Sequence, residues 1–280
     1  MLSSSSPILI TGASSGIGLA TALACARIGM PVALAARRKD RLDEAVTKIM
    51  QSGGKAIAIR CDVVSKADCD EALRQTVGTF GSVYAIFANA GYGYEAPVAT
   101  MDESKLRDIF EVNFYGSLNI IRAALPHLLA NRAGHVLWCS SGLSKISLPN
   151  FAAYSATKAA QDHFGRALRI EILGTGVHSS TVHPITTETE FSTGVEAASG
   201  KSRGTLRTPR SARQSAETVA DAVVKCLRSP KGEVWTSFSA RASLALATLF
   251  PELADRVLAK RHRGLMEAIR RENRSSDSRP

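Results

Sequence analysis

The chain has 280 residues, 45% hydrophobic and 21% charged, with a formal net charge of +10. That length suits one large α/β domain or two small ones and allows a sizeable core. The composition is that of a soluble globular protein, and no apolar run reaches the eighteen or so residues a membrane helix needs.

The elements follow in order. "PILI" (7–10) reads as a first strand and "GIGLATALACARIG" (16–29) as a helix ending at glycine. "PVALAA" (31–36) is strand-like, and "RLDEAVTKIMQSG" (41–53) is a helix stopped by Gly53 and Gly54. Then come a strand "AIAIRC" (56–61), a helix around 66–77, a strand "YAIFAN" (84–89) and a long helical region from about 102 to 131. "GHVLWCS" (134–140) is a strand, followed by a helix over about 151–173 and a strand "GVHSSTVH" (176–183). A helix near 215–228 and a short strand "EVWTS" (233–237) close the pattern. The strands lack polar alternation, as strands buried on both faces do, and the helices between them serve as crossovers. The expected fold is a single-domain, Rossmann-like, doubly wound parallel sheet over residues 1–238.

Residues 185–214 break the pattern; they are rich in Thr, Ser, Gly and Arg and read as a lid. After residue 238, "ASLALATLF" and "PELADRVLAKRHRGL" read as two short helices of a C-terminal extension over 239–270. Leu246, Phe250, Leu253 and Val257 would line one face, packed on the domain or on a subunit partner; the less favoured alternative is an interfacial helix at a membrane surface, with Arg256, Lys260, Arg261 and Arg263 rimming that face. Residues 271–280 read as a disordered tail. Residues 1–200 hold 18 Lys/Arg and 17 Asp/Glu, whereas 201–280 hold 17 and 8. The basic excess therefore belongs to the last third. No nucleic-acid motif accompanies it, so a solvated basic surface is favoured over nucleic acid or an anionic membrane. The start lacks a basic n-region, and the five scattered cysteines suit free thiols in a reducing, cytoplasmic setting. Cys61 and Cys69 lie among Asp62, Asp68 and Asp70, but no histidine is near and no metal is expected.

"ITGASSGIGLA" sits between the first strand and the first helix. Gly12, Gly16 and Gly18 remove Cβ atoms where the chain turns, and the free N–H groups at the helix start form an anion site. The spacing G-x-x-x-G-x-G differs from G-x-G-x-x-G, and its place between strand and helix is what strengthens it. At the end of the second strand, where an acid would hold a ribose 2′-hydroxyl, the chain has Ala36 followed by Arg37 and Arg38. Guanidinium groups pair with a 2′-phosphate, so NADP(H) is favoured over NAD(H).

Together with "CDV" (61–63), "ANAG" (88–91), "VNFYG" (112–116), "SSG" (140–142) and "YSATK" (154–158), these motifs resemble the short-chain dehydrogenase/reductase family. The likeness is to its branch of about 250 residues. It runs from about residue 6 to residue 236. It implies that Gly12, Ser14, Ser15, Gly16, Ile17, Gly18, Arg37 and Arg38 hold the cofactor, with Asp62 and Val63 at the adenine. It also implies cofactor contacts for Asn89, Ala90, Gly91, Tyr154, Lys158, Pro184, Thr186 and Thr189. Ser141, Tyr154, Lys158 and Asn113 are the implied catalytic set, with Asn113 holding a water that links Lys158 to solvent. A homodimer or homotetramer is the implied assembly. Ile185 stands where the family has glycine, and a β-branched residue resists glycine's φ > 0 conformations.

Reducing a ketone requires a hydride on carbon and a proton on oxygen, and the protein handles the proton. A free tyrosine has a pKa near 10, and an ammonium one helical turn away favours its phenolate. Tyr154 is then acid in reduction and base in oxidation, and Ser141 steadies charge on the substrate oxygen. Leu143, Pro149, Tyr92, Tyr94 and Phe191 are candidate pocket walls, which suits an apolar ketone or aldehyde and its alcohol. The alternative is a cofactor-binding regulatory or membrane-associated scaffold on the same fold. An epimerase or lyase ranks lower, since no larger substrate domain is visible.

Overall fold

The computed structural model describes residues 6–199, 213–260 and 262–264. The expected tail at 271–280 and the middle of the expected lid, 200–212, lie outside these residues. The first strand, β1 (Ile8–Thr11), leads through α1 (Gly16–Arg27) to β2 (Val32–Ala36), then α2 (Lys39–Gln51) and β3 (Ala56–Arg60). Helix α3 (Lys66–Phe80) returns the chain to β4 (Ala85–Ala88) on the other side of β1. Helices α4 (Glu103–Phe110) and α5 (Gly116–Ala130) precede β5 (Gly134–Cys139), and α6 (Ala152–Glu171) precedes β6 (Val177–His183). A two-stranded element pairs β7 (Thr187–Glu188) with β8 (Gln214–Ser215), and α7 (Phe191–Ser199) lies between them. Helix α8 (Ala216–Arg228), β9 (Glu233–Trp235) and α9 (Phe238–Leu249) follow.

The main sheet runs β3-β2-β1-β4-β5-β6-β9, all parallel. Side chains alternate across it with period two. On β1, Ile8 and Ile10 join the layer of α1, α2 and α8, packing among Ala22, Cys25, Leu42, Val219 and Val223. Leu9 joins the opposite layer with Ile86, Val136, Trp138, Ile120, Ala124 and Leu168. Every residue of β1, β2, β4 and β5 is buried, which is why these strands read as unbroken apolar runs. The reversal of direction between β1 and β4 opens a crevice at the strands' C-terminal ends.

Three expectations gain detail. The long helical region over about 102–131 forms, as two α-helices joined by a π-helical turn at Glu111–Tyr115. A single extra residue in a turn leaves hydrophobic periodicity almost untouched, so the sequence pattern does not reveal it. Helix α7 gives the lid region an ordered element that its Ser/Thr/Gly-rich composition hides. In the C-terminal extension, α9 and a helix over 251–260 form, but Leu246, Phe250, Leu253 and Val257 are all more than half exposed rather than packed on the domain. Among the described residues, no helix is long and apolar enough to cross a membrane.

His135 on β5 is fully buried, and its Nε2 is 2.7 Å from Ser180 Oγ. Burial, helped by the nearby His178, pushes its pKa from 6.5 down to about 3. The folded state thus refuses a proton that the unfolded chain accepts below 6.5, so this contribution to stability is lost as pH falls from 6.5 toward 3. The expected loss is about 1.4 kcal/mol per pH unit in that window. Chemical denaturation of wild type and His135→Asn between pH 7 and 4 is expected to show a shallower pH slope for the variant. Equal slopes would contradict the assignment.

Candidate active site

A cavity of about 970 Å³ occupies the crevice. At its floor, Gly12 and Gly16 adopt positive φ, +65° and +55°. A Cβ on Gly12 would stand 2.8 Å from Ala90 Cα, and one on Gly18 would stand 2.5 Å from Gly12 O and 2.6 Å from Asn89 Nδ2. The turn therefore lies directly on the end of β4. Asn89 Nδ2 donates to Thr11 O at 3.0 Å, and Thr11 Oγ1 accepts from the Asn89 and Ala90 N–H groups at 3.0 and 3.1 Å. Thr11 is a clamp that sequence reasoning misses, because a threonine at a strand end carries no signal of its own.

Helix α1 opens at Ser15, whose side chain makes no capping bond, and its first turn carries no acid. The start of the helix is left with unsatisfied N–H groups facing a site lined by Ser14, Ser15 and Gly16. This fits an anionic diphosphate. Arg37 and Arg38 line the same end. The Arg38 guanidinium donates to Ser14 Oγ, Ser15 Oγ and Glu190, the last an ion pair of 3.0 Å. Asp62 and Val63 border the cavity, and Val64 N–H donates to Asp62 Oδ1 at 3.2 Å. Asp68 caps the turn below them, accepting from Asp62 N–H and Ser65 Oγ, which accounts for the acids around Cys61 and Cys69. All five cysteines are free and buried.

On the other side of the cavity, α6 presents Tyr154 and Lys158, and the segment after β5 presents Ser141. Tyr154 is 8% exposed, with Phe151 and Phe191 edge-on at centroid distances of 6.2 and 5.3 Å. Burial pushes its phenol well above the ordinary value, and a hydrogen bond with Ser141 partly offsets this. Burial also pushes the Lys158 ammonium down. Lys158 Nζ sits 5.7 Å from the Tyr154 ring centroid and donates to Cys139 O at 2.7 Å and Gln161 Oε1 at 2.9 Å. The i, i+4 spacing suggests a phenolate favoured by the lysine, whereas in the free protein burial dominates and Tyr154 is a neutral acid.

Asn113 does not border the cavity; it lies behind it in the π-helical turn, fully buried. Its Oδ1 accepts from Tyr92 N–H, and its Nδ2 donates to Tyr92 O and Thr157 Oγ1. Gly18 likewise packs beneath the lining. The other expected cofactor residues, including Gly91, Pro184, Thr186 and Thr189, all border the cavity. Thr189 lies against Gly16, its Cβ only 3.2 Å from where a glycine Cβ would be. Ile185 lines the cavity too, and it is absent from the residues at positive φ, so its β-branch meets no strain there.

Leu143, Pro149, Tyr92 and Phe191 form apolar wall, joined by Leu148, Val195, Leu244 and Leu258. Tyr94 belongs instead to the small core beneath α7, with Ile109 and Phe151. A Cβ on Gly93 would strike Phe191 and Val195 within 2.6 Å, so a glycine there lets α7 lie down on the cavity. Below Ser141 lies a network that the sequence pattern does not announce. His183 Nδ1 faces Ser141 O at 3.2 Å, and its ring stacks on Trp235 at 4.4 Å. Asp162, His183 and Glu233 come within metal-ligand range of one another. However, Lys145 Nζ already donates to both carboxylates.

A parallel sheet with its glycine turn and open helix start at the switch point defines a dinucleotide-binding architecture, here with a tyrosine, serine and lysine on one wall. A family model described as short chain dehydrogenase matches residues 6–200, and the chain belongs to that family. An uncharacterized oxidoreductase of Listeria innocua, Lin0452, is 37% identical over 186 residues, 66% of this chain and 75% of the relative. A Drosophila melanogaster dehydrogenase/reductase SDR family protein 7-like is 28% identical over 91% of this chain and 79% of its own. A Burkholderia phymatum short chain dehydrogenase/reductase solved in complex with NAD superposes with TM-score 0.82 at 25% identity, covering 91% of this chain and 97% of that one. A Thermococcus sibiricus alcohol dehydrogenase complexed with 5-hydroxy-NADP gives 0.73 at 29% identity, covering 82% and 94%. The protein is an oxidoreductase of a family that binds NAD or NADP.

The glycine turn yields a paired test. Gly18→Ala is expected to lower Tm and weaken NADPH binding at least about 10-fold, because backbone on the far side cannot yield. Gly78→Ala in α3 meets nothing within 4 Å and is expected to be neutral or to stabilise by up to about 1 kcal/mol. Thermal unfolding and fluorescence titration with NADPH check both.

Proposed function

We propose that the protein is an NADP(H)-dependent oxidoreductase that interconverts an apolar ketone or aldehyde and its alcohol. The observation that carries this reading is the convergence of Tyr154, Ser141 and Lys158 on a largely apolar cavity. The nicotinamide cofactor supplies or accepts the hydride when bound. Ser14, Ser15 and the open start of α1 suit its diphosphate, Asp62 and Val63 its adenine, and Arg37 and Arg38 a 2′-phosphate. The absence of an acid at Ala36 supports the choice of NADP(H).

Tyr154 donates its proton to the carbonyl oxygen in reduction and takes it back in oxidation. Its burial suits the first role, since a phenol held neutral always carries the proton it must give. Ser141, which faces Tyr154 in the free protein, turns its single hydroxyl donor to the same oxygen and steadies the developing charge. Lys158 has spent two of its three donors on Cys139 and Gln161, leaving one for a ribose hydroxyl or the phenolate. Phe191, Leu143 and Val195 exclude water around the substrate. We further propose that residues 1–238 form the catalytic unit, with 239–270 as an extension whose Leu244 and Leu258 complete the apolar wall. A homo-oligomer is part of the same reading, supported by exposed Phe164, Ile170 and Leu173 along and just beyond α6, and so is a cytoplasmic setting, which the five free cysteines suit.

Steady-state turnover of NADPH and of NADH with aliphatic and aromatic ketones and aldehydes tests the proposal. Tyr154→Phe is expected to lower kcat about 10²–10⁴-fold with NADPH binding retained. NADPH is expected to be preferred, and Arg37→Gln with Arg38→Gln to raise its KM at least about 10-fold while leaving NADH nearly unchanged. Undiminished turnover in Tyr154→Phe would overturn the mechanism, and a preference for NADH would overturn the cofactor choice.

A further inference from the structure

Lys158 is buried, and an ammonium withdrawn from water needs acceptors for its donors. One is Cys139 O; the other is the side chain of Gln161, three residues further along α6 and itself 0% exposed. Gln161 Nε2 donates to Asn113 O at 2.7 Å and to Ser117 Oγ at 2.6 Å. Ser117 Oγ in turn donates to Asn113 O at 2.7 Å. The amide can face only one way. An ammonium cannot accept, so Oε1 faces Lys158; a carbonyl cannot donate, so Nε2 faces Asn113. A carbonyl oxygen has two lone pairs, and two side-chain donors already take those of Asn113.

We infer that Gln161 is a positioning residue: it ties the Lys158 ammonium to the π-helical turn and closes the Asn113 carbonyl to water. The inference rests on the Tyr154–Lys158 chemistry proposed above. A side chain thus stands where a water on Asn113 would link Lys158 to solvent. Unlike a water, it cannot leave or rotate to pass a proton along. The phenolate left when Tyr154 gives up its proton is then reprotonated from solvent only after the product leaves the cavity, with Lys158 held in place throughout.

The test compares Gln161→Leu, Gln161→Ala and Gln161→Glu with wild type and Tyr154→Phe, using NADPH and the ketone that wild type reduces fastest. Gln161→Leu fills the space without polar atoms. It is expected to lower kcat about 10-fold or more and to move the alkaline limb of the kcat profile to lower pH, because the ammonium loses an acceptor. Gln161→Ala leaves room for a water with three polar partners, Lys158 Nζ, Asn113 O and Ser117 Oγ. Its kcat is expected to exceed that of Gln161→Leu several-fold. A merely structural role predicts the reverse order, since alanine leaves the larger cavity. Gln161→Glu keeps the size and the acceptor, and its carboxylate is expected to move the alkaline limb to higher pH. Wild-type kcat and pH profile in Gln161→Leu, slower turnover in Gln161→Ala than in Gln161→Leu, or an unmoved limb in Gln161→Glu would overturn the inference. Loss of activity in Tyr154→Phe alongside any of these would leave the catalytic reading intact; its survival would remove that reading instead.

Discussion

A buried ammonium organises this site. Lys158 cannot be charged inside the fold unless its donors are met, and the elements around it are arranged to meet them. Cys139 O is offered by the end of β5, Gln161 by the next turn of α6, and the space beside Nζ is kept open by Gly91. A Cβ at Gly91 would press on Asn113 Oδ1 at 2.9 Å and approach Lys158 Nζ at 3.5 Å. The π-helical turn at Glu111–Tyr115 places Asn113 where both its side chain and its carbonyl serve this cluster. Remove the ammonium and this arrangement of polar groups loses its purpose while keeping its desolvation cost.

The sheet's topology places that cluster opposite the glycine turn. The chain reverses its winding direction between β1 and β4, and the crevice that results is floored by Gly12 and Gly16 and walled by α6. Thr11 and Asn89 lock the two strand ends together, so the turn is a fixed surface. Rigidity there and burial at Tyr154 serve the same end. One suits an anionic ligand at a helix start; the other would keep the proposed proton donor neutral and in place.

Much of this was legible in the chain. Strands buried on both faces announce themselves as apolar runs, and the order of glycine turn, Asn113, Ser141, Tyr154 and Lys158 pointed to the family. What stayed hidden depends on contacts between distant segments. Gln161 looks like any polar residue on a helix until the π-helical turn is packed against α6. Thr11 and His183 are ordinary strand residues until their neighbours are known. Tyr94 reads as pocket wall beside Tyr92, yet it turns into the core with Ile109. Spacing suggested that Lys158 governs the Tyr154 phenol, but spacing carries no measure of burial, which dominates in the free protein. In the C-terminal extension, periodicity found the apolar face, but periodicity does not say whether such a face meets the domain or something outside it. Leu244 and Leu258 turn inward while Leu246, Leu253 and Val257 face out.

We propose that Tyr154 is a proton donor held neutral by burial in the free protein, and that the positive charge of NADP⁺, when bound beside it, would favour its phenolate. Ultraviolet difference titration of the phenolate, wild type minus Tyr154→Phe, measures this directly, with and without NADP⁺. No Tyr154 phenolate is expected up to the ordinary tyrosine pKa near 10 in the free protein, and its appearance at lower pH is expected once the cationic nicotinamide is bound. A Tyr154 phenolate already formed near neutral pH in the free protein, or a titration that NADP⁺ binding leaves unmoved, would contradict it.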